Sequence, residues 1–250
     1  MRIKDMSAFA FDYSTDEVTH VLQRAAENAA FTVARHPRAV RRLRRTMDLF
    51  AEGMAAYETA RARHPRPDIR FGRHDPALTF FAAARRSLLC GTKLTFEHEL
   101  TDAAKPLRGA IEAALAGCHV VSDPTAWDRW RNRPAATRWR SGQEDSARLA
   151  RREISTEFGV GRLAAELRKR HPSLASTSFA LYEELIDLGG HFNNTALPLT
   201  TIHPDSTDLP RALCRANRTA VTCLRIFDLI FAEVLRDRSL SERIRAAGSR

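Results

Sequence analysis

The apolar residues of this chain recur every three or four positions, and this spacing decides its fold class. In the first 60 residues they would share one side of a helix. They are Val18, Val21, Leu22, Ala25, Ala29, Val40, Leu43, Met47, Phe50 and Met54. Such spacing is typical of amphipathic helices. No run of four to eight residues alternates between apolar and polar side chains, and no Asn-Gly or Asp-Gly pair offers a hairpin turn. The sequence therefore predicts an all-α helical bundle without a sheet.

Proline and glycine residues divide this pattern into separate parts. His36 precedes Pro37, and a residue before proline is pushed out of the α region, so residues 1–63 are predicted to form a helical hairpin. Residues 64–76 contain prolines and a glycine without a helical period, which predicts a loop or linker. Residues 77–250 are predicted to form the main bundle. The three parts are also compatible with one continuous domain.

Capping signals delimit the helices that follow. Asp75 and Pro76 are typical of an N-cap and a first helical turn, and Ser141 with Glu144 forms a capping box. Gly189 follows an apolar stripe, as expected at a helix end. With the N-terminal hairpin, these signals predict about seven or eight helices. After that hairpin, the predicted helices span residues 75–100, 103–121, 141–158, 162–171, 173–188 and 208–236, with a short helix or a turn after residue 123.

The chain carries a formal net charge of +10, and 36 of its 40 basic residues are arginines. The positive electrostatic field of such a chain favours anionic partners, either a nucleic acid or an acidic protein. A coding bias towards arginine and alanine would produce the same composition without any ligand. The charge alone does not choose between these explanations.

The cysteines and the hydropathy pattern indicate a reducing compartment. Cys90, Cys118, Cys214 and Cys223 form no C-x-x-C pair, so we expect buried free thiols. No stretch of about 18 apolar residues could span a membrane. The apolar part of the N-terminal segment is too short for a secretory signal. We therefore expect a cytoplasmic protein without a membrane partner.

Motifs for metal and cofactor binding are absent from the sequence. Glu17-x-x-His20 is the one Glu-x-x-His pair, whereas a di-iron bundle needs two such pairs and two further carboxylates. There is no H-E-x-x-H, no P-loop, no G-x-G-x-x-G and no G-x-S-x-G. We expect no metal and no cofactor.

One segment interleaves arginines with tryptophans in the manner of a nucleic-acid surface. Arginines neutralise phosphates, and an exposed indole stacks on a base. The candidate binding residues are Trp127, Arg129, Trp130, Arg131, Arg133, Arg138, Trp139 and Arg140. Alternatively, the tryptophans anchor a short helix and only the arginines face water. A second basic run follows helical spacing around Leu43, which is typical of a solvated face. It comprises Arg38, Arg41, Arg42, Arg44 and Arg45.

Three residues suggest a catalytic site assembled from two helices. Arg108 and Glu112 lie one turn apart, and His191 follows the glycines at the end of a later helix. A neutral histidine can take a proton from a ribose hydroxyl and return it to a leaving oxygen, while arginine offsets the phosphate charge. Alternatively, Arg108 and Glu112 form an i,i+4 ion pair and His191 caps helix carbonyls.

The stretches PLRGAIEAALAGCHVVSDPTAWDRW and LYEELIDLGGHFNN resemble known proteins. Over about residues 78–195 the chain resembles an uncharacterised all-helical bacterial family. In that family a Leu-Arg-x-x-x-Glu helix precedes an Asp-Pro-Trp turn, and a later Tyr-containing helix ends in histidine. Its relatives are placed near HEPN-like defence proteins. This chain departs from the family at Phe192, where proline is expected. The site residues that the resemblance nominates are Arg108, Glu112, Tyr182, His191 and Asn193.

We therefore expect a helical protein that binds an anionic partner, with RNA or single-stranded nucleic acid ahead of an acidic protein. One alternative is a HEPN-like, metal-independent ribonuclease or defence protein that uses His191 and Arg108. The other is a non-catalytic structural or regulatory subunit that forms a homodimer through its apolar helix faces.

Overall fold

The computed structural model describes residues 17–132, 144–189 and 208–248. These residues form eleven helices and no strand, which confirms the predicted all-α fold. Seven helices have at least 14 residues, and four shorter ones raise the total above the predicted seven or eight. In chain order the helices are α1 (Glu17–Arg35), α2 (Pro37–Arg63), α3 (Pro67–Phe71), α4 (Asp75–Phe96), α5 (Leu100–Ser122), α6 (Ala126–Arg131), α7 (Glu144–Glu157), α8 (Val160–Arg168), α9 (Pro172–Gly189), α10 (Asp208–Leu235) and α11 (Arg238–Ala247).

Local stereochemistry sets several helix ends where the sequence predicts them. α1 ends at Arg35 and α2 begins at Pro37, because the residue between them precedes proline. α9 ends at Gly189, the predicted stop. Arg236 follows α10 with a φ of 55°, a left-handed conformation that cannot continue a right-handed helix. α11, which follows at once, has no counterpart among the predicted helices.

Asp75 has a different role from the predicted N-cap. α4 begins at Asp75 itself, and His74 occupies the capping position without a side-chain hydrogen bond to the helix. The Asp75 carboxylate instead accepts hydrogen bonds from Tyr57 Oη at 2.9 Å and from Arg61 Nε at 2.8 Å. A hydrogen bond between two charged groups is stronger than one to a neutral amide, and a buried phenol needs an acceptor. The N-cap prediction for Asp75 is therefore wrong.

The stretch 64–76, predicted as a loop or linker, contains a helix and part of the core. α3 lies within it, and Phe71 at the end of α3 is buried. Tyr57 Oη donates to the carbonyl oxygen of Phe71 at 3.1 Å, and the two rings meet edge to face. Arg70 Nη2 donates to the carbonyl oxygen of Val234, near the end of α10, at 2.7 Å. The stretch is thus a packed connection, and five residues are too few for a helical period to reveal α3.

Glycines bring α4 and α5 into close antiparallel contact. A Cβ on Gly91 would lie 2.6 Å from Leu107 Cγ, and a Cβ on Gly117 would lie 2.8 Å from Phe81 Cε2. Since both distances are too short for real atoms, only glycine permits this approach. The α4–α5 hairpin forms one side of the core.

α10 is central to the core, as its nearly continuous apolar surface predicts. Phe227 and Phe231 are fully buried, and both rings contact Phe81 of α4. Phe50 of α2 packs against the same group, with its ring centroid 5.8 Å from that of Phe227. α2 therefore shares one hydrophobic core with the predicted main bundle.

α1 lies at the edge of this core and is held by its C-terminal half. Thr32 is buried, and its Oγ1 lies 2.9 Å from His98 Nε2 in the α4–α5 turn. Asn28 Nδ2 donates to the carbonyl oxygen of Glu97 at 3.0 Å. Val21 and Leu22, in the predicted apolar stripe, are instead 58% and 65% exposed. Across the described ranges, no helix combines the length and the apolar character needed to cross a membrane.

Candidate functional site

An open cleft of about 690 Å³ lies between α2 and α11. Five of its eleven lining residues are arginines, and α2 supplies eight of the eleven. The lining residues are Arg38, Arg41, Arg42, Arg45, Thr46, Asp48, Leu49, Glu52, Arg243, Ala246 and Ala247.

The periodicity of α2 places its arginines along this cleft. Residues three and four apart are neighbours on a helix surface, and Arg38, Arg41, Arg42 and Arg45 follow that spacing. Leu43, which they flank, is buried in the core and fixes the rotation of α2 about its axis. As a result, the basic run that the sequence attributes to a solvated face forms one wall of a concave surface.

α11 forms the opposite wall, and polar contacts hold it in place. Asp237 caps its N-terminus by accepting from the Leu240 amide at 3.0 Å, and Ser241 Oγ donates to Asp228 of α10. Arg243 extends from α11 to the carboxylate of Glu52 on α2 and binds both of its oxygens. An ion pair thus bridges the two walls of the cleft.

Four guanidinium groups in the cleft are available to a ligand. Within the described part of the chain, Arg38, Arg41, Arg42 and Arg45 are exposed and have no carboxylate partner. The two acids of the lining are already engaged, Glu52 with Arg243 and Asp48 with Arg44 at 3.8 Å. The cleft is therefore electropositive, and a concave surface of one sign concentrates the opposite charge.

The tryptophans of α6 pack inward rather than facing solvent. The ring centroid of Phe80 lies 6.0 Å from that of Trp127 and 5.4 Å from that of Trp130. Trp130 also contacts Phe158, with 4.7 Å between centroids. Both indoles are only half-buried, but they rest on the core cluster. This packing supports the alternative that they anchor a short helix, while stacking of bases on their exposed surface stays a prediction.

Arg129, a predicted phosphate ligand, is engaged in an ion-pair cluster. Its Nη2 donates to Asp123 at 2.6 Å, and its Nε donates to Glu157 Oε2 at 2.9 Å. These hydrogen bonds hold the pKa of Asp123 and that of Glu157 below their ordinary values. His119 Nε2 lies 2.9 Å from the same Glu157 carboxylate. Arg129 therefore joins α6 to the end of α7.

Of the remaining predicted binding residues in that segment, the structure describes one. Arg131 is exposed at the end of α6. Four predicted binding residues lie outside the described residues, namely Arg133, Arg138, Trp139 and Arg140.

The cluster around Arg129 also has the residue types of a metal site. One ligand atom each from His119, Asp123 and Glu157 lie within 4.8 Å of one another. However, the Arg129 guanidinium lies between the two carboxylates and donates to both. A cation would need the same lone pairs and would have to displace it. The donor set fits an ion-pair cluster centred on Arg129 better than a metal centre.

The structure brings together two predicted catalytic residues and a third predicted site residue, Tyr182. Arg108 Nε lies 3.4 Å from Glu112 Oε1, which is the ion pair of the simpler alternative. Tyr182 of α9 faces the same glutamate, and burial together with the Glu112 charge raises the pKa of Tyr182. His191 and Asn193 lie outside the described residues. The α5–α9 face is therefore a second polar patch, separate from the cleft.

Comparison with known families, proteins and structures found no match. No family model matches the chain, no curated protein is similar to it, and no solved structure is similar to the fold.

Proposed function

We propose that this protein binds a linear polyanion, RNA or single-stranded nucleic acid in the first instance, in the α2–α11 cleft. The observation that carries this proposal is a set of four exposed arginines on one concave surface, none of which has a carboxylate partner among the described residues. They are Arg38, Arg41, Arg42 and Arg45. An arginine fork matches a phosphate with two parallel hydrogen bonds, so this set suits a chain of phosphates.

The expected electrostatic contribution follows from the number of arginines. Each phosphate neutralised on a single strand releases counterions and adds about 0.7 to the slope of log affinity against log salt. Four phosphates would therefore contribute a slope of about 3. A nucleic acid bound in this way loses affinity steeply between low and physiological salt.

The test is the binding of a fluorescent single-stranded RNA across a salt series. One variant replaces the four cleft arginines with glutamine. A matched control variant removes the same charge elsewhere, by replacing Arg24, Arg86, Arg152 and Arg168, which are exposed on four other helices. Thermal unfolding of both variants establishes that they fold.

We expect the cleft variant to lower the salt slope by about 3 and the control variant to leave it nearly unchanged. Equal weakening by both variants would mean that net charge, and not the cleft, binds RNA. No binding by the natural protein at low salt would refute the proposal. A further variant, replacing Arg131, Arg133, Arg138 and Arg140, compares the other predicted basic segment with the cleft.

A ribonuclease is the second candidate, supported by the meeting of Arg108, Glu112 and Tyr182 on one face. In this proposal His191 supplies the general base and Arg108 offsets the phosphate charge. Loss of RNA cleavage in the His191→Ala variant, with unchanged thermal unfolding, would support it. Unchanged cleavage, or none by the natural protein, would rule it out.

A further inference from the structure

The lining of the cleft indicates which part of a nucleic acid it would contact. Resting on the proposed function, we infer that the α2–α11 cleft recognises phosphate groups and not bases, so that inorganic polyphosphate is a ligand equivalent to RNA. The shared chemistry is a linear chain of phosphates.

Within the described residues, the cleft offers no aromatic surface on which a base could stack. None of its eleven lining residues is aromatic, and the apolar ones are Leu49, Ala246 and Ala247. Sequence-tolerant binding of bases relies on aromatic side chains, and base-specific RNA recognition also uses stacking. A nucleic acid in this cleft would therefore leave its bases outside it.

Apart from its arginines, which can also donate to O6 and N7 of guanine, the eleven lining residues offer no free group that reads base edges. None of the eleven is an asparagine or a glutamine. Thr46 Oγ1 donates to Asn217 Oδ1 at 3.0 Å and lies 3.1 Å from the Arg42 carbonyl oxygen, so this hydroxyl is engaged. Asp48 and Glu52 are paired with arginines. The groups left for a ligand are guanidinium N–H donors, whose charge and fork geometry match phosphate oxygens and, among bases, only guanine.

The spacing of the arginines favours a ligand that carries a charge at every repeat. Arg38 and Arg45 are seven residues apart on α2, which corresponds to about 10 Å along the helix axis. Arg41 and Arg42 lie between them, so four positive charges share this short distance. A phosphate chain supplies negative charge at that density on its backbone, whereas the carboxylates of an acidic peptide lie on flexible side chains that must each be ordered.

Competition against a labelled oligouridylate tests this inference. The competitors are unlabelled oligouridylate, oligoadenylate, a guanine-containing RNA, a polyphosphate with the same number of phosphates, and polyglutamate with the same number of charges. We expect the RNAs and the polyphosphate to compete within about threefold of one another with the same salt slope, and polyglutamate to compete at least tenfold more weakly.

The possible failures are distinguishable. If RNA binds but the guanine-containing RNA is preferred by more than tenfold, or polyphosphate does not compete, the inference is wrong while the proposed function stands. If polyglutamate competes as well as RNA, the partner chemistry is acidic protein and the inference is also wrong. If no polyanion binds, both proposals fail.

A gain-of-function variant gives an independent readout. Ala246 is exposed and lines the cleft, so Ala246→Trp adds an aromatic surface there without disturbing the core. Because stacking contributes about 1 kcal/mol or more per base, we expect about fivefold tighter binding of RNA and no gain for polyphosphate. An equal gain for both ligands would overturn the assignment of base-free binding in the natural cleft.

Discussion

Replacement of Arg129 with glutamine should destabilise the fold without weakening RNA binding. The Arg129 guanidinium donates hydrogen bonds to Asp123, Thr125 and Glu157. Without it, the Glu157 carboxylate, whose side chain is only 13% exposed, keeps His119 as its one remaining partner in this cluster. Loss of these interactions should therefore loosen the connection between α6 and the end of α7.

The magnitude follows from the exposure of the two groups. A hydrogen bond to a charged group contributes about 1.5 to 3 kcal/mol, and removal of one partner leaves the other desolvated. Arg129 is 42% exposed, so water replaces part of what is lost. We expect a decrease of about 2 kcal/mol in the free energy of unfolding, or about 4 to 8 °C in Tm for a chain of this size.

Urea unfolding measures this change, and Arg131→Gln is the matched control on the same helix. Arg131 is exposed, so its replacement should change the free energy of unfolding by less than about 0.5 kcal/mol. In a double-mutant cycle, Arg129→Gln and Glu157→Gln should be coupled by about 1 kcal/mol or more. Additive effects, or a loss of RNA binding with unchanged stability, would refute the structural role of Arg129.

The pH dependence gives a second readout of the same cluster. Arg129 lowers the pKa of Glu157 in the folded state. A carboxylate with a lowered pKa contributes stability above its unfolded value of 4.5, and this contribution is lost as the pH falls below 4.5. The stability difference between the natural protein and Arg129→Gln should therefore shrink over that range.

Four further predictions concern single substitutions that change stability. Burial, followed by the charge of the adjacent arginine, lowers the pKa of His74, so stability should fall as the pH drops below 6.5, and His74→Leu should reduce this loss in urea titrations at pH 7 and 5.5. Gly91→Ala should lower the unfolding free energy by about 1 to 3 kcal/mol through overpacking. Gly109→Ala, whose Cβ would meet no atom closer than 3.8 Å, should raise it by about 0.5 to 1 kcal/mol. Tyr57→Phe should cost about 1 to 2 kcal/mol in thermal unfolding, because two acceptors lose the phenol proton; an unchanged Tm would contradict this.

The parts of the fold that depend on local stereochemistry could be predicted from the sequence. The break at His36, the end of α9 at Gly189 and the central position of α10 follow from proline, glycine and apolar periodicity. α3 was beyond this reasoning, because five residues show no period, whereas α11 was missed although Asp237 at its N-cap and the i,i+4 pair of Leu240 and Ile244 signal it. The residues at which a helix begins and ends depend on their neighbours in the sequence, whereas the helices it packs against depend on residues far away in the chain.

The candidate site depended on contacts between distant residues, which sequence reasoning missed. Arg129 has the same local setting as Arg131, yet only the position of Glu157, 28 residues away, makes it part of an ion-pair cluster. The arginines of α2 likewise acquire a binding surface only because α11 packs opposite them. The signal available in the sequence was their helical spacing, which identifies a shared face but not what lies across from it.

The bridge between Arg243 and Glu52 joins residues 191 apart in the chain, and this separation has a kinetic consequence. The α4–α5 hairpin closes through contacts between neighbouring segments, so we expect it to form early in folding, with high φ-values at Gly91 and Gly117. The cleft requires the long-range docking of α2 and α11 and should form after the rate-limiting step. A bound polyphosphate should then slow unfolding while leaving the folding rate unchanged. The ligand would stabilise the native state without stabilising the transition state for folding.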